Sequence, residues 1–378
     1  MCSMKTLISL GTTAFLLTLL TACSDGSDGG SPLAESISYD AQGPYAVANR
    51  TISITNHADG RVLNVELWYP TDTPSAGQDI EDFASNDIER NEIASLLAEN
   101  PDNCVTRRTA SGEGLPPTSA LTQFPLVAFS HCFECTRYSS FSLAERLASH
   151  GIAVAAPDHA MNTLFDPGAV LSEEFLTIRA NDIIAVVDEL LVPNSAALPE
   201  DLQGRFDGNR VGMSGHSYGA VTTGKVLQED DRFKAGYVIA APVENPLIPG
   251  VEVGRITEPT LYMVAQEDNS ITELGNALIR SNFDNAASPS WKVEIADAGH
   301  WSVSDIAGII PGFQPGCGEG ERQTVPGEPF TYIDIELGLQ ITASYGVRFF
   351  AAHLLGDEEA LAELSQSTNP GVVEVESK

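Results

Sequence analysis

The sequence predicts an α/β protein on a mostly parallel, doubly wound sheet, with an antiparallel hairpin at its N-terminal edge and helical insertions. Three observations carry this. Short, nearly continuous apolar runs, such as Pro125-Leu126-Val127-Ala128-Phe129-Ser130 and Ile152-Ala153-Val154-Ala155-Ala156-Pro157, read as strands buried on both faces. Segments of helical periodicity separate these runs, as parallel crossovers require. One strand-like run, Val211 to Ser214, passes directly into Gly215-His216-Ser217-Tyr218-Gly219 and then a helical segment, Ala220 to Gln228. Strand, G-x-S-x-G and helix in that order form the context of a nucleophile elbow.

Length and composition set the frame. The 378 residues are 43% hydrophobic and 7% aromatic, enough for a sizeable core. Against 52 Asp+Glu stand only 20 Lys+Arg, a net charge of −32. That surface repels nucleic acid and anionic lipid, so neither is an expected partner. It also resembles the acid-rich, lysine-poor surfaces of proteins from salty habitats.

The elements follow in order. Residues 1–22 read as a leader, with a basic start ending at Lys5 and an apolar stretch from Leu7 to Leu20 too short to span a bilayer comfortably. Residues 23–40 read as a flexible tether, opening on Cys23-Ser24-Asp25-Gly26-Ser27-Asp28-Gly29-Gly30-Ser31. A single domain is expected over 41–360 and a polar tail over 361–378. Thr51–Thr55 and Arg61–Pro70 alternate and flank the turn Asn56-His57-Ala58-Asp59-Gly60, which makes a β-hairpin. Residues 71–123 leave strand logic, and their apolar positions, Ile80, Phe83, Ile88, Ile93, Leu96 and Leu97, suit one or two inserted helices. After the strand ending at Ser130 come a helix from Ser139 to His150, stopped by Gly151, the strand at 152–157, and a long helix from Glu173 to Leu191. Beyond the elbow, Gly236–Ala241, Thr260–Val264 and Trp291–Ile295 read as strands, and Gly338–Leu355 as a closing helix.

The chemistry is legible around Ser217. A serine hydroxyl needs a base, and the base needs an orienting carboxylate. Asp268 follows the strand ending at Val264, at the carboxyl end of a parallel strand where ligands gather, with Glu267 as its rival. Of seven histidines, His300 lies just past the last strand, in Ala298-Gly299-His300. His57 falls in the hairpin turn and His353 in the closing helix, while His150 and His159 flank a strand. His131 is expected to shape the loop after Ser130, and His216 sits in the elbow itself, pointing away from the site. Two backbone donors are needed for an oxyanion. The N–H groups of Tyr218 and Phe133 are the candidates.

Four cysteines, Cys104, Cys132, Cys135 and Cys317, remain after Cys2 in the leader and Cys23. An even number permits two disulfides in three connectivities. Proximity selects Cys132–Cys135, and Cys104–Cys317 then follows, the alternative being a bridge from one of the near pair to Cys104 or Cys317. Cys132-Phe133-Glu134-Cys135 lacks a second half-site for zinc, so no metal is expected.

Leu20-Thr21-Ala22-Cys23 resembles the lipobox of bacterial lipoproteins, which implies lipidation at Cys23 and anchorage in the cell envelope. Ser24 suggests the outer membrane by the same resemblance. The domain resembles the α/β-hydrolases, and most closely the branch related to platelet-activating-factor acetylhydrolase and dienelactone hydrolase. The resemblance rests on Gly43-Pro44-Tyr45, Val65-Glu66-Leu67-Trp68-Tyr69-Pro70, Phe129-Ser130-His131, Leu143-Ala144-Glu145-Arg146-Leu147-Ala148-Ser149-His150-Gly151, Ala156-Pro157-Asp158-His159, Gly215-His216-Ser217-Tyr218-Gly219 and Ala298-Gly299-His300. It implies a Ser217, Asp268 and His300 triad, no cofactor, and hydrolysis of small-molecule or lipid esters, with short-acyl or phospholipid-like esters expected. Other serine hydrolase chemistry (polyester, lactone or peptide) and a catalytically idle binding lipoprotein are the alternatives. One departure is His131-Cys132 where the family usually reads His-Gly. A Cys132–Cys135 bridge would hold the loop that glycine otherwise shapes. Apolar substrate walls are expected from the insertion at 71–123 and the loop Met161–Leu171.

Overall fold

The computed structural model describes residues 38–101, 104 and 108–378. The leader, Cys23 and the tether up to residue 37 lie outside the described residues.

The hairpin forms where alternation and turn chemistry agree. β1 (Ala46–Thr55) pairs antiparallel with β2 (Val62–Thr71), in register from Ala46↔Thr71 to Thr55↔Val62. Gly60, at φ 77°, closes the turn by donating its N–H to the Asn56 carbonyl at 2.7 Å. Six parallel strands form the centre: β3 (Phe124–Ser130), β4 (Ala153–Pro157), β5 (Phe206–His216), β6 (Phe233–Ile239), β7 (Thr260–Ala265) and β8 (Ser290–Ile295). With β9 (Val373–Ser377), the sheet runs β9-β8-β7-β6-β5-β3-β4-β2-β1 and ends on a two-residue strand at Gly112–Glu113. β4 lies between β3 and β2, so chain order reverses beside β5, and loops at the carboxyl ends of β3 and β5 face one crevice.

Every residue of β3 is buried, because both sheet faces are covered. Val127 and Phe129 face one core, with Leu143 and Leu147 of α2 (Phe141–Ser149) and Tyr345 and Phe349 of α6 (Ile335–Phe350). Leu126 and Ala128 face the other, with Ile183 and Val187 of α3 (Glu173–Leu190), Val221 of α4 (Tyr218–Glu229) and Phe283 of α5 (Thr272–Asn285).

Four differences from the sequence reading have physical causes. First, β5 begins at Phe206 rather than Val211, with a register irregularity opposite Phe124 and Leu126. Second, residues 361–378 are no tail. β9 pairs antiparallel with β8, Val375 against Val293, and Val373 is buried. Its Val-x-Val alternation is diluted by glutamates, one of which, Glu376, pairs with Lys292 at 2.5 Å. Third, Ser38–Asp40 belong to the domain rather than the tether. Tyr39 is buried and donates to Asp357 at 2.7 Å, and Asp40 accepts from Arg348 at 3.0 Å. Fourth, α5 escaped the sequence reading. Its core contacts, Ile279 and Phe283, alternate with buried Asn276 and Asn282, whose amides need distant backbone partners at Ala265 and Glu244. Among the described residues no helix is long and apolar enough to cross a membrane.

Among the described residues, none of the insertion lines the apolar hollow that holds Ser217. The insertion carries a 3₁₀ turn (Ile80–Phe83) and α1 (Asp87–Glu99), started by Asn86, whose side chain accepts from the N–H groups of Ile88 and Glu89. Ile80, Phe83 and Ile93 are buried in the first core, and Phe83 stacks on Tyr138 at 5.3 Å between ring centres. Truncating this ring in Phe83→Ala is expected to cost about 3–5 kcal/mol. A shift of the urea midpoint measures it, and a loss under about 1 kcal/mol would make the insertion peripheral to the core.

Candidate active site

The site begins with a backbone conformation. β5 runs into α4 through Ser217, whose φ of 56° and ψ of −118° lie where non-glycine residues rarely go. Such strain costs on the order of 1–3 kcal/mol and persists only where the surroundings over-determine it. Here they do. The Ser217 N–H donates to the Ile239 carbonyl on β6 at 2.9 Å. A Cβ on Gly219 would lie 1.8 Å from the Ser130 carbonyl oxygen, and one on Gly215 would lie 2.3 Å from the Gly219 oxygen. Both positions must be glycine for β3, β5 and α4 to meet so closely. The turn puts the Ser217 side chain at the N-terminus of α4, which favours negative charge.

His300 and Asp268 arrive from the loops after β8 and β7. His300 Nδ1 lies 2.7 Å from Asp268 Oδ2, and His300 Nε2 lies 2.9 Å from Ser217 Oγ. A carboxylate only accepts, so Nδ1 carries the proton and Nε2 is left to accept from the serine hydroxyl. The other oxygen of Asp268 accepts from the N–H groups of Ser270 and Ile271, at 2.9 and 3.0 Å. These bonds fix the carboxylate plane, and Asp268 is fully buried.

Glu267, the rival carboxylate, faces the other way. It accepts from the backbone N–H groups of Gln323 and Thr324, the Thr324 hydroxyl and Arg322. Burial opposes its ionisation, but these donors outweigh it and hold the carboxyl below its usual range.

His216 is a residue whose role the sequence reading missed. It does not line the cleft, but neither does it point away from the site residues. Its ring lies 4.8 Å from that of His300, and its Nε2 donates to the His300 carbonyl at 3.0 Å. Burial keeps it uncharged, with its pKa well below the usual value. It is a positioning residue, and its place next to the nucleophile candidate was the available signal.

A second serine, histidine and aspartate line up behind the site. Ser130 Oγ lies 3.0 Å from His159 Nε2, and His159 Nδ1 lies 3.0 Å from Asp182 Oδ2. All three are completely buried, so nothing from solvent reaches Ser130. Burial pushes the Asp182 carboxyl up to about 6, against the pull of Arg61. Buried Arg179 ties this network to the loop after β3, donating to the Ser130 hydroxyl and the His131 carbonyl and stacking under the Tyr218 ring at 4.7 Å. His131, as expected, belongs to that loop, with Nδ1 donating to the Cys132 carbonyl at 2.7 Å.

Both expected disulfides are present in the structure, Cys132–Cys135 and Cys104–Cys317. Phe133, Ser217 and Tyr218 line an apolar cleft of about 370 Å³, with the Phe133 and Tyr218 rings 6.1 Å apart. Among the described residues of the segments expected to wall it, only Leu171 from the Met161–Leu171 loop takes part. The rest comes from α4 at Val221, from residues 241–248 and from α5 with the turn before it, through Ile271 and Leu274. Leu171, Leu247 and Leu274 stand exposed at its rim. A larger hollow of about 510 Å³, over the β1–β2 turn and α3, shares no residue with it. Among the described residues no group of three or more His, Cys, Asp or Glu could hold a metal ion.

No family model matches the chain. It is 23% identical over 257 residues to a probable 1-alkyl-2-acetylglycerophosphocholine esterase of Arthroderma benhamiae, covering 66% of this chain and 65% of that protein. It is 28% identical over 181 residues to a platelet-activating factor acetylhydrolase of Bos taurus, covering 37% of this chain and 40% of that one. The chain thus spans less than two thirds of the length of these curated relatives. A solved ferulic acid esterase from Streptomyces cinnamoneus superposes with a TM-score of 0.61 at 23% identity, over 88% of this chain and 96% of that one.

The elbow geometry carries a direct test. Gly219→Ala must push α4 off β3, because the atom it meets is backbone. The variant is expected to lose several °C in Tm by differential scanning calorimetry. An unchanged Tm would mean that the turn relaxes freely.

Proposed function

We propose that this chain, an α/β-hydrolase by its fold, is a serine ester hydrolase that works through an acyl-enzyme. One observation carries the reading: the unbroken run from Asp268 through His300 to the Ser217 hydroxyl, at 2.7 and 2.9 Å, opening onto an apolar cleft. The esterase and acetylhydrolase names of the relatives support the same reaction class.

The proposed reaction runs in two halves. Ser217 Oγ attacks the ester carbonyl while His300 Nε2 takes its proton, and Asp268 stabilises the imidazolium that forms. The developing oxyanion takes hydrogen bonds from the N–H groups of Tyr218 and Phe133. His300 then returns the proton to the departing alcohol. A water, deprotonated by the same nitrogen, releases the acid and restores the serine.

The substrates are short-acyl carboxylic esters, with phospholipid-like esters as the physiological class. The names of the two curated relatives point to acetylated ether lipids, and the exposed leucines at the rim suit an amphipathic alcohol. With a net charge of −32, a lipid substrate is held by apolar contact rather than by attraction to anionic head groups. Anchorage through a lipid on Cys23 would place the enzyme among such esters. It rests on Leu20-Thr21-Ala22-Cys23 and the polar tether that follows, and Cys23→Ser is expected to give a soluble or unprocessed protein; unchanged membrane fractionation with no lipid mass on the mature N-terminus would overturn it.

Two measurements test the reading. Ser217→Ala should lower kcat by about 10⁴-fold or more, and Asp268→Asn by about 10³–10⁴-fold. Glu267→Gln should keep kcat within about threefold. A dead Glu267→Gln beside an active Asp268→Asn would reassign the acid. In a p-nitrophenyl ester series from acetate to palmitate, each methylene that fits adds about 0.8 kcal/mol, roughly fourfold in kcat/KM, until the cleft ends. Efficiency should peak among short chains. A climb that continues to palmitate would make the enzyme lipase-like.

A further inference from the structure

We propose that the buried floor of the apolar cleft is the acyl subsite and that Val221 sets the length of acyl chain it takes. The inference rests on the esterase reading above and adds a specificity-determining residue to it.

Direction separates the two halves of an ester at Ser217. His300 Nε2, 2.9 Å from Ser217 Oγ, returns its proton to the departing alcohol, so the alcohol lies on the His300 side. The carbonyl oxygen turns toward the backbone donors, among them Tyr218 at the start of α4. The acyl chain takes the direction that remains. Among the described residues, nothing from the loop after β8 that carries His300 lines the cleft. Its walls are α4, residues 241–248, and α5 with the turn before it, joined by Phe133 and Leu171. The cleft therefore runs from the nucleophile away from the base.

Exposure divides the cleft. Leu171, Leu247 and Leu274 stand exposed at its rim, whereas Val221, Ala241 and Ile248 are buried and belong to the second core. Of these three, Val221 is tied to Ser217 by the helix itself. It lies one turn along α4, its N–H donating to the Ser217 carbonyl at 3.4 Å. The Cα–Cβ bond of a helical residue tilts toward the N-terminus, so the Val221 methyls lean toward the nucleophile. The next position on that face is Gly224, where a Cβ would lie 2.7 Å from Val243 Cβ and 3.1 Å from Val251 Cγ1. Both valines are buried and neither lines the cleft. The missing side chain at 224 lets them close over α4 directly behind Val221. An acyl chain running down α4 from Ser217 meets the Val221 methyls first and packed core next.

Depth converts into selectivity. A methylene with room to bind is worth about fourfold in kcat/KM, and one without room must force the packing apart. Alanine at 221 removes two carbons and opens room for more chain, whereas isoleucine adds one carbon and takes room away. A general loss of stability or of catalytic power lowers all esters alike. Only a wall moves the chain-length optimum, and moves it in opposite directions for opposite changes in size.

The experiment uses the full chain and p-nitrophenyl esters from acetate to octanoate, so that the alcohol is constant. Turnover by the unmodified protein comes first, because its absence across the series would overturn the esterase reading itself. Given turnover, the ester at which kcat/KM peaks is the reference. In Val221→Ala, esters one to two methylenes longer should gain about four- to fifteenfold relative to that reference. In Val221→Ile, the reference ester should fall at least about fourfold relative to the shorter members. This second variant leaves no cavity and keeps the test open should Val221→Ala fail to fold. A second series holds the acyl group at acetyl and lengthens the alcohol from ethyl to hexyl, and both variants should keep its ratios within about twofold of the unmodified protein. An acyl optimum that neither substitution moves would overturn the proposal and leave the esterase reading in place. So would a shift confined to the alcohol series, which would make the floor the alcohol subsite.

Discussion

The carbonyl oxygen of Ser130 stands where the first side-chain carbon of any residue but glycine at 219 would have to be. That contact brings the end of β3 against the start of α4. It lets the chain turn through Ser217 in a conformation that serine would otherwise avoid. Much of the site depends on it. β3 must end at Ser130 for its following loop to reach the cleft. β6 must lie beside β5 for Ile239 to accept from Ser217. The loops after β7 and β8 then fall within reach of the hydroxyl, because parallel strands end on the same side of a sheet.

Around this turn, direction rather than residue type separates function from support. Asp268 and Glu267 are adjacent, both carboxylates, both without exposed surface. One is oriented by the N–H groups of Ser270 and Ile271 toward His300, the other is enclosed by residues 322–324. Ser130, His159 and Asp182 repeat the hydrogen-bond pattern of the proposed triad at similar distances, but the protein seals them from solvent. Burial turns that second constellation into a brace for the loop after β3, through Arg179. Geometry alone would not have told the two apart, and access does.

The parts of the molecule written in local sequence were readable before the structure. The parallel strands are apolar runs, and the elbow is a local constraint with a local signature. Ser217 and His300 stand beside elements whose ends the pattern marks. The acid was readable only as a pair, since the donors that retain Glu267 lie more than 50 positions away. The cleft walls were not readable. Residues 241–248 follow a strand with no pattern of their own. α5 hides its apolar stripe behind asparagines that are satisfied only in the folded chain. β9 looked like a tail because its outward residues are acidic, and only its partner strand makes Val373 and Val375 a face. His216 looked idle because its partner, the His300 carbonyl, is 84 residues away.

Ser217, and no other serine, is the proposed nucleophile, made so by His300. Mass spectrometry after treatment with a fluorophosphonate addresses it at the level of the bond formed. One covalent adduct is expected, on the peptide carrying Ser217, and none in His300→Ala. An adduct on Ser130 or another serine, or ester turnover that persists while Ser217 stays unlabelled, would contradict it.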